Sequence, residues 1–352
     1  MKYIQLFLAA YLTITTPWAN GYELATHGAL TYQAYLKSNL NTNALLQDLG
    51  IDRLLVSPNV PNPFGDTYYD VQGGTINTRS ANAFESTIIK EDLKKILSVE
   101  PLTLPGWLMR GAIREDDAKG EKNPPDPVNP TLKRPLHHFY DPANNRPLSI
   151  PGLSLIDSDV HTAPAWAVGS RDVFTQPNTA EANRRNHFTV FDAREAMYRA
   201  VTGKTKDGLD AGPNVTAATE SIRKTYWATL FRALGDILHL NQDMAQPQHT
   251  RNDPHSGKGP TLVQQLFTGH KSFYENYIEA RATGLKFTPA NGPAVNSKPL
   301  NTQICSASGI CSDYPIPAFT KYSDYWSTAP GSTGGKGLAD YSNRSTLVDT
   351  AA

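Results

Sequence analysis

The residue types with the most chemistry lie close together between His239 and Asp253. His239 and Asp243 are four apart, Pro247 follows, and His249 comes two residues later, with Asn252 and Asp253 behind it. On a helix, side chains four apart project from one face, so His239 and Asp243 point the same way. Pro247 should end that helix and turn His249 back toward the same face. Imidazole nitrogens and carboxylate oxygens converging from a helix and its exit turn suit a zinc ion. The chain has nine histidines. Any one of them alone is better read as a surface residue or a hydrogen-bonded core residue. The argument rests on the set: His27, His138, His239, His249 and His270 lie on or next to helical segments or in compact motifs, whereas His161, His187 and His255 have weaker context and His137 directly precedes His138.

Helices must position these groups. The strongest helical patterns run from Ala180 to Val201 and from Ala217 to Asn241. The second should bury Tyr226, Trp227, Leu230, Phe231, Leu234 and Leu238, which recur at spacings of three and four. Ala25 to Leu40 is helical and begins beside His27. Asn43 to Asp52 reads as a short helix and Ala83 to Val99 as an amphipathic one with Phe84, Ile88, Leu93 and Ile96 near one face; Leu108 to Asp117 precedes a loop. Leu262 to Ala282 is helical and carries His270 and Glu275. Pro58 to Thr78 and Lys119 to Pro135 are rich in loop formers. No series of alternating strands is long enough for a sheet-based fold, so the expected class is mainly α with long loops.

At 352 residues, 39% of them hydrophobic, the chain can build a packed core. Its 33 basic and 33 acidic residues cancel, which gives no general attraction to nucleic acid or anionic membrane. Met1 and Lys2 followed by an apolar stretch from Ile4 to Ile14 read as a secretory signal over residues 1–21, with cleavage before Tyr22; the stretch is too short to span a bilayer. No later segment is apolar enough to cross a membrane. In an exported chain, the two cysteines, Cys305 and Cys311, are expected to form a short-loop disulfide. The expected organisation is a helical domain over 22–282 and a loop-rich extension over 283–352, the whole secreted or periplasmic.

His239, Asp243, Pro247 and His249 match a signature of the zinc-dependent phospholipase C family, whose superfamily includes zinc-dependent single-strand nucleases. The last signature position, an asparagine, is Asp253 here, next to Asn252. Three other pieces resemble the family in the right order: Thr26-His27-Gly28-Ala29, the segment Gly111 to Asp116, and His138-Phe139-Tyr140-Asp141-Pro142. A fourth departs, because His270 and Glu275 are five apart where the family has four. Five residues is about 140° around an ideal helix.

The resemblance implies three zinc ions. One would be held by Asp116, His138, His239 and Asp243. A second would share Asp243 as a bridge, take His27, and use the processed N-terminus. The third would take His249, His270 and Glu275. Asp243 would set the spacing of the first two ions, and Asp116 would orient or deprotonate the attacking water. Glu115 reads as a solvated acid. Arg110 and Arg114 either pair with Glu115 and Asp116 or contact substrate phosphate, pairing being favoured. Trp107, Tyr140 and Tyr274 either line a pocket or belong to the core.

The expected function is therefore a secreted zinc-dependent phospholipase C, a monomer that touches membrane surfaces transiently and cleaves phospholipid to diacylglycerol and a phosphorylated head group. Alternatives are a zinc-dependent single-strand nuclease or nucleotidase, a metal-binding protein without catalysis, and a surface interaction protein.

Overall fold

The computed structural model describes residues 24–42, 47–48, 63–72, 75–81, 83–93, 97, 99–116, 133–150, 152–155, 157, 159–169, 186–212, 217–253, 275, 278–279, 303–305, 311–313 and 338–345. Among them helix dominates, so the expected mainly α class holds. The expected signal segment 1–21 and most of the expected helices Asn43–Asp52 and Leu262–Ala282 lie outside the described residues. Glu275 and Glu279 are in helical conformation.

In chain order, α1 is Leu24–Lys37, β1 Thr67–Gln72, β2 Thr75–Ser80, α2 Ala83–Thr87, α3 Leu104–Arg114, α4 Lys133–Leu136, α5 Ala163–Val168, α6 Val190–Thr202, α7 Glu220–Asp243, α8 Pro247–Thr250, β3 Gln303–Cys305, β4 Cys311–Asp313 and α9 Leu338–Ser345. The central element is α7. Thr219 caps it, accepting a hydrogen bond from the Ile222 amide. Tyr226, Trp227, Leu230 and Phe231 are buried as expected, while Leu234 and Leu238 are only partly so. Ala228, Ala233, Ile237 and Leu240 are buried too, because α1, α3, α5, α6 and β1 all pack on α7.

Helix α3 starts at its cap Thr103, with Pro105 in its first turn, and crosses α7 where Gly111 faces Gly235. Helix α1 packs on α3, with Ala29, Ile89, Leu93, Met109 and Ile113 forming a second apolar cluster. The amphipathic pattern after Ala83 forms α2, which passes into a π-helical turn over Ile88–Leu93. Helix α6 opens later than its periodicity predicts, at a capping box in which Thr189 and Asp192 satisfy each other's backbone amides.

The segment read as a loop from Pro58 to Thr78 is corrected in part. Residues Thr67–Gln72 and Thr75–Ser80 pair as an antiparallel hairpin, Thr67 opposite Ser80 and Gln72 opposite Thr75. An isolated hairpin is marginal in water. This one is held by the core: Tyr68 and Tyr69 are buried, and the Tyr69 amide donates to Thr229 Oγ1 on α7 at 2.8 Å. Asp70, fully buried, pairs with His187 (2.7 Å) and Arg79 (3.0 Å), fastening the hairpin to the start of α6.

In the C-terminal region β3 and β4 pair antiparallel, with Cys305 opposite Cys311. Helix α9, in the region where periodicity fades, docks on α8: Arg251 Nε donates to the Asn343 carbonyl at 3.1 Å, and Asn343 Nδ2 donates to the Thr250 carbonyl at 2.5 Å. Its Ala339 joins Tyr140, Trp166, Leu240 and Met244 in one buried cluster. The turn that carries His249 therefore leans on residues beyond 283. No helix among the described residues is long and apolar enough to cross a membrane.

Candidate metal centre

Five separate elements deliver six of the expected residues to one buried place. His239 and Asp243 sit on the last turns of α7, and His249 on α8, which Pro247 starts. His27 comes from the first turn of α1, Asp116 from the turn ending α3, and His138 from the turn after α4. All six are at most 1% exposed.

Four of their atoms form a compact group. His138 Nδ1 lies 3.1 Å from Asp243 Oδ2, 3.3 Å from His239 Nε2 and 3.4 Å from Asp116 Oδ1. His239 Nε2 lies 3.2 Å from Asp243 Oδ2 and 3.8 Å from Asp116 Oδ1. Four ligand atoms placed tetrahedrally around zinc at 2.0–2.1 Å are about 3.3–3.4 Å apart. The three edges of the His138–His239–Asp243 triad, 3.1, 3.2 and 3.3 Å, are close to that spacing. Both Asp243 oxygens are buried, and neither accepts a hydrogen bond of acceptable geometry. The nitrogens around them approach as co-ligands do, rather than as donors. An acceptor buried without a donor costs about 1–3 kcal/mol, more when charged, and a cation would satisfy it. These residues fit a divalent metal, and two overlapping triads, His27–Asp116–His239 and His138–His239–Asp243, have the convergence to hold one.

His27 faces the far side of the same carboxylates. Its Nε2 lies 3.5 Å from Asp243 Oδ1 and 3.8 Å from Asp116 Oδ2, so each aspartate turns one oxygen to His27 and the other to His138 and His239. The family resemblance implies a shared position for Asp243 alone; Asp116 is placed in the same two-sided way. The His27 and His239 rings stack at 3.6 Å between centroids.

The ring nitrogens turned away from the cluster have oxygens behind them. His27 Nδ1 donates to Gln242 Oε1 (2.6 Å), whose Nε2 donates in turn to Thr31 Oγ1 (2.9 Å). His239 Nδ1 donates to the Ala112 carbonyl at 2.6 Å, and His249 Nδ1 to the His138 carbonyl at 2.9 Å. His138 is reversed: its Nδ1 faces the cluster, and its Nε2 stands 3.7 Å from Glu115 Oε1. Such outer partners fix the tautomer and the ring orientation of ligating histidines.

The electrostatics agree. Burial opposes a proton on His138, but Asp243, Glu115 and Asp116 outweigh it and push its pKa up to about 10. His239 is raised against the same burial by Asp243 and Asp116. Burial, then the neighbouring His239, hold His27 well below the usual imidazole range. Burial favours a neutral Asp243, yet His249, His239 and His138 hold its carboxyl well below the usual carboxylate range. Asp243 thus stays anionic and draws positive charge inward, the field a dication needs.

The other expected residues divide. His249 reaches the edge of the cluster, with Nδ1 3.8 Å from Asp243 Oδ2 and its ring stacked on Phe139 at 4.5 Å. Glu275 is buried, and His270 lies outside the described residues. Glu115 is not a solvated acid: it is fully buried, bonded by Arg134 Nη1 at 2.7 Å and Trp166 Nε1 at 2.7 Å. Arg110 and Arg114 lie 3.6 and 3.5 Å from Glu85, an acid that sequence spacing did not connect to them. Trp107 is core, and Tyr140 is buried beside α5 and α9. Asn252 adopts a left-handed conformation (φ 62°) and accepts from the Ser149 amide at 2.9 Å, so it holds the loop after α8, while Asp253 is exposed. Gln242 and Arg134 were missed. Gln242 is three residues past His239, the spacing that puts it on a neighbouring part of the helix face, and that was its one legible signal. No protein family, curated protein or solved structure matches this chain.

Proposed function

We propose that the chain is an exported zinc-dependent phosphodiester hydrolase of the phospholipase C type, acting as a monomer on phospholipid at a membrane surface. The observation that carries the reading is the convergence of His138 Nδ1, His239 Nε2 and Asp243 Oδ2, with Asp116 Oδ1 3.4 Å from His138 Nδ1, a set drawn from three elements in the order the family motifs run. Supporting it, His27 faces the opposite oxygens of both aspartates, as a second ion sharing them requires. His249, with Glu275 and His270, would supply the third.

Zinc in such a site lowers the pKa of its water toward about 7 and neutralises phosphate oxygens. The protein's own part is to fix charge and orientation. Asp243 and Asp116 supply two negative charges and span the His27 and His138–His239 sides. Because both Asp116 oxygens face imidazole nitrogens, Asp116 acts as a ligand before it acts as a base. Gln242 and the Ala112 carbonyl hold His27 and His239 with Nε2 inward.

The test is turnover of phosphatidylcholine and of single-stranded DNA by the zinc-loaded chain, with and without chelator. Chelator-sensitive release of diacylglycerol supports the proposal. DNA cleavage alone moves the chain to the nuclease branch of the same cage, and bound zinc without turnover of either makes it a metal-binding protein without this activity.

A further inference from the structure

His138 differs from its three neighbours in two ways. It presents Nδ1 to the cluster where His27 and His239 present Nε2, and it is backed by a carboxylate where the others are backed by neutral oxygens. The Glu115 carboxylate behind it is held rigidly. Arg134 Nη1 donates to Glu115 Oε2 (2.7 Å) and to Asp236 Oδ1 (2.9 Å), and Asp236 is held by Arg232 Nε at 2.7 Å. Trp166 Nε1 donates to Glu115 Oε1 (2.7 Å), the same oxygen that faces His138, and its ring lies flat on His137 at 3.9 Å. Every member of this chain is nearly or fully buried.

From this arrangement we infer that Glu115 is a positioning residue for the metal centre: its buried charge, 3.7 Å from His138 Nε2, favours the tautomer that carries the proton on Nε2 and exposes Nδ1, and strengthens His138 as a ligand, with Arg134 and Trp166 setting its place. The inference rests on the metal reading above. A fixed orientation is needed at this residue more than elsewhere, because His138 follows a four-residue helix and has no long element to hold it. Carboxylates behind ligating imidazoles typically change metal affinity by about 10–100-fold. Glutamine at position 115 cannot serve all three neighbours. Its one oxygen can accept from Trp166 or Arg134, and its amide then opposes either the guanidinium or the His138 N–H.

The experiment titrates the wild-type, Glu115→Gln and Glu115→Asp chains with Zn²⁺ against a chromophoric chelator, and with Co²⁺ by its visible absorption. Circular dichroism and thermal unfolding of each metal-free chain run alongside. The expected result is a folded Glu115→Gln chain with zinc affinity about 10–100-fold weaker and an altered cobalt spectrum, and partial recovery in Glu115→Asp, which restores the charge. If Glu115→Gln loses thermal stability but keeps wild-type zinc affinity and cobalt spectrum, Glu115 is a core acid and the inference falls alone. If Glu115→Gln does not fold, Trp166→Phe, which removes one donor and leaves the carboxylate, takes its place, and unchanged affinity and spectrum there overturn the inference. If the wild-type chain takes up neither ion, this inference and the metal reading fall together.

Discussion

Gly111 of α3 and Gly235 of α7 meet backbone to backbone. A Cβ added to Gly235 would sit 2.1 Å from the Leu108 carbonyl oxygen and 2.7 Å from Gly111 Cα, and one added to Gly111 would sit 2.1 Å from the Arg232 carbonyl oxygen. Contacts below about 3 Å involve backbone on both sides, so no side chain can yield. The crossing has a consequence one turn on: it places the Ala112 carbonyl on His239 Nδ1 and carries Asp116 to the His27 and His138 sides of the cluster.

Gly235→Ala should therefore lose the site. Alanine gains up to about 1 kcal/mol of helix propensity over glycine. Overpacking of this kind costs about 1–3 kcal/mol or more, and here the crossing must open. The expected outcome in denaturant unfolding is net destabilisation, with reduced metal content in the remaining folded chain. Alanine raising the stability with metal retained would contradict the crossing's role.

Asp243→Asn keeps the shape of the side chain and removes the charge that both sides of the cluster share. Expected is a folded chain whose metal content and hydrolytic activity fall together, activity by at least about 100-fold. Metal retained in full in Asp243→Asn would remove Asp243 from the bridging position.

Protons and metal compete for the same nitrogens. With its pKa pushed up to about 10 by Asp243, Glu115 and Asp116 against burial, His138 is protonated at neutral pH in the metal-free chain, and a metal at Nδ1 must displace that proton. The sign follows: affinity falls as pH falls, and binding at pH 7 releases about one proton or more. Calorimetric titration with zinc in two buffers of different ionisation enthalpy measures this. Identical enthalpies would show that no proton leaves.

Removing residues 338–352 should weaken the His249 side first. Helix α9 caps the Thr250 carbonyl through Asn343, receives Arg251, and packs Ala339 against Tyr140 and Met244. The truncated chain is expected to unfold at lower denaturant and to hold less metal than the full chain. Unchanged metal content and midpoint would make α9 an accessory.

Of the candidate ligands, His239, Asp243 and His249 were legible from spacing, while His27, Asp116 and His138 were implied by the family resemblance. His239 and Asp243 are one helical turn apart, and α7 stops at Asp243, four residues before Pro247, which starts α8 instead. The helices α1 and α7 were legible from periodicity. The hairpin Thr67–Ser80 was not, because its strands are held by Tyr68, Tyr69 and Asp70 against α6 and α7, a tertiary effect that local composition does not carry. Helix α5 was invisible because six residues are too few to show a period. Glu115 looked like a surface acid because its partners, Arg134, Trp166 and His138, are 19 to 51 positions distant or in a separate motif. Pairing across such distances is decided by the fold.

The most direct test of the central claim is the metal stoichiometry of the purified mature chain, by mass spectrometry of the protein after dialysis against zinc. The account predicts at least two tightly held zinc ions per chain, and a third where His249, His270 and Glu275 also close on one. A folded chain that retains no stoichiometric metal would contradict it, since the buried His27, Asp116, His138, His239 and Asp243 would then be held together by protons alone.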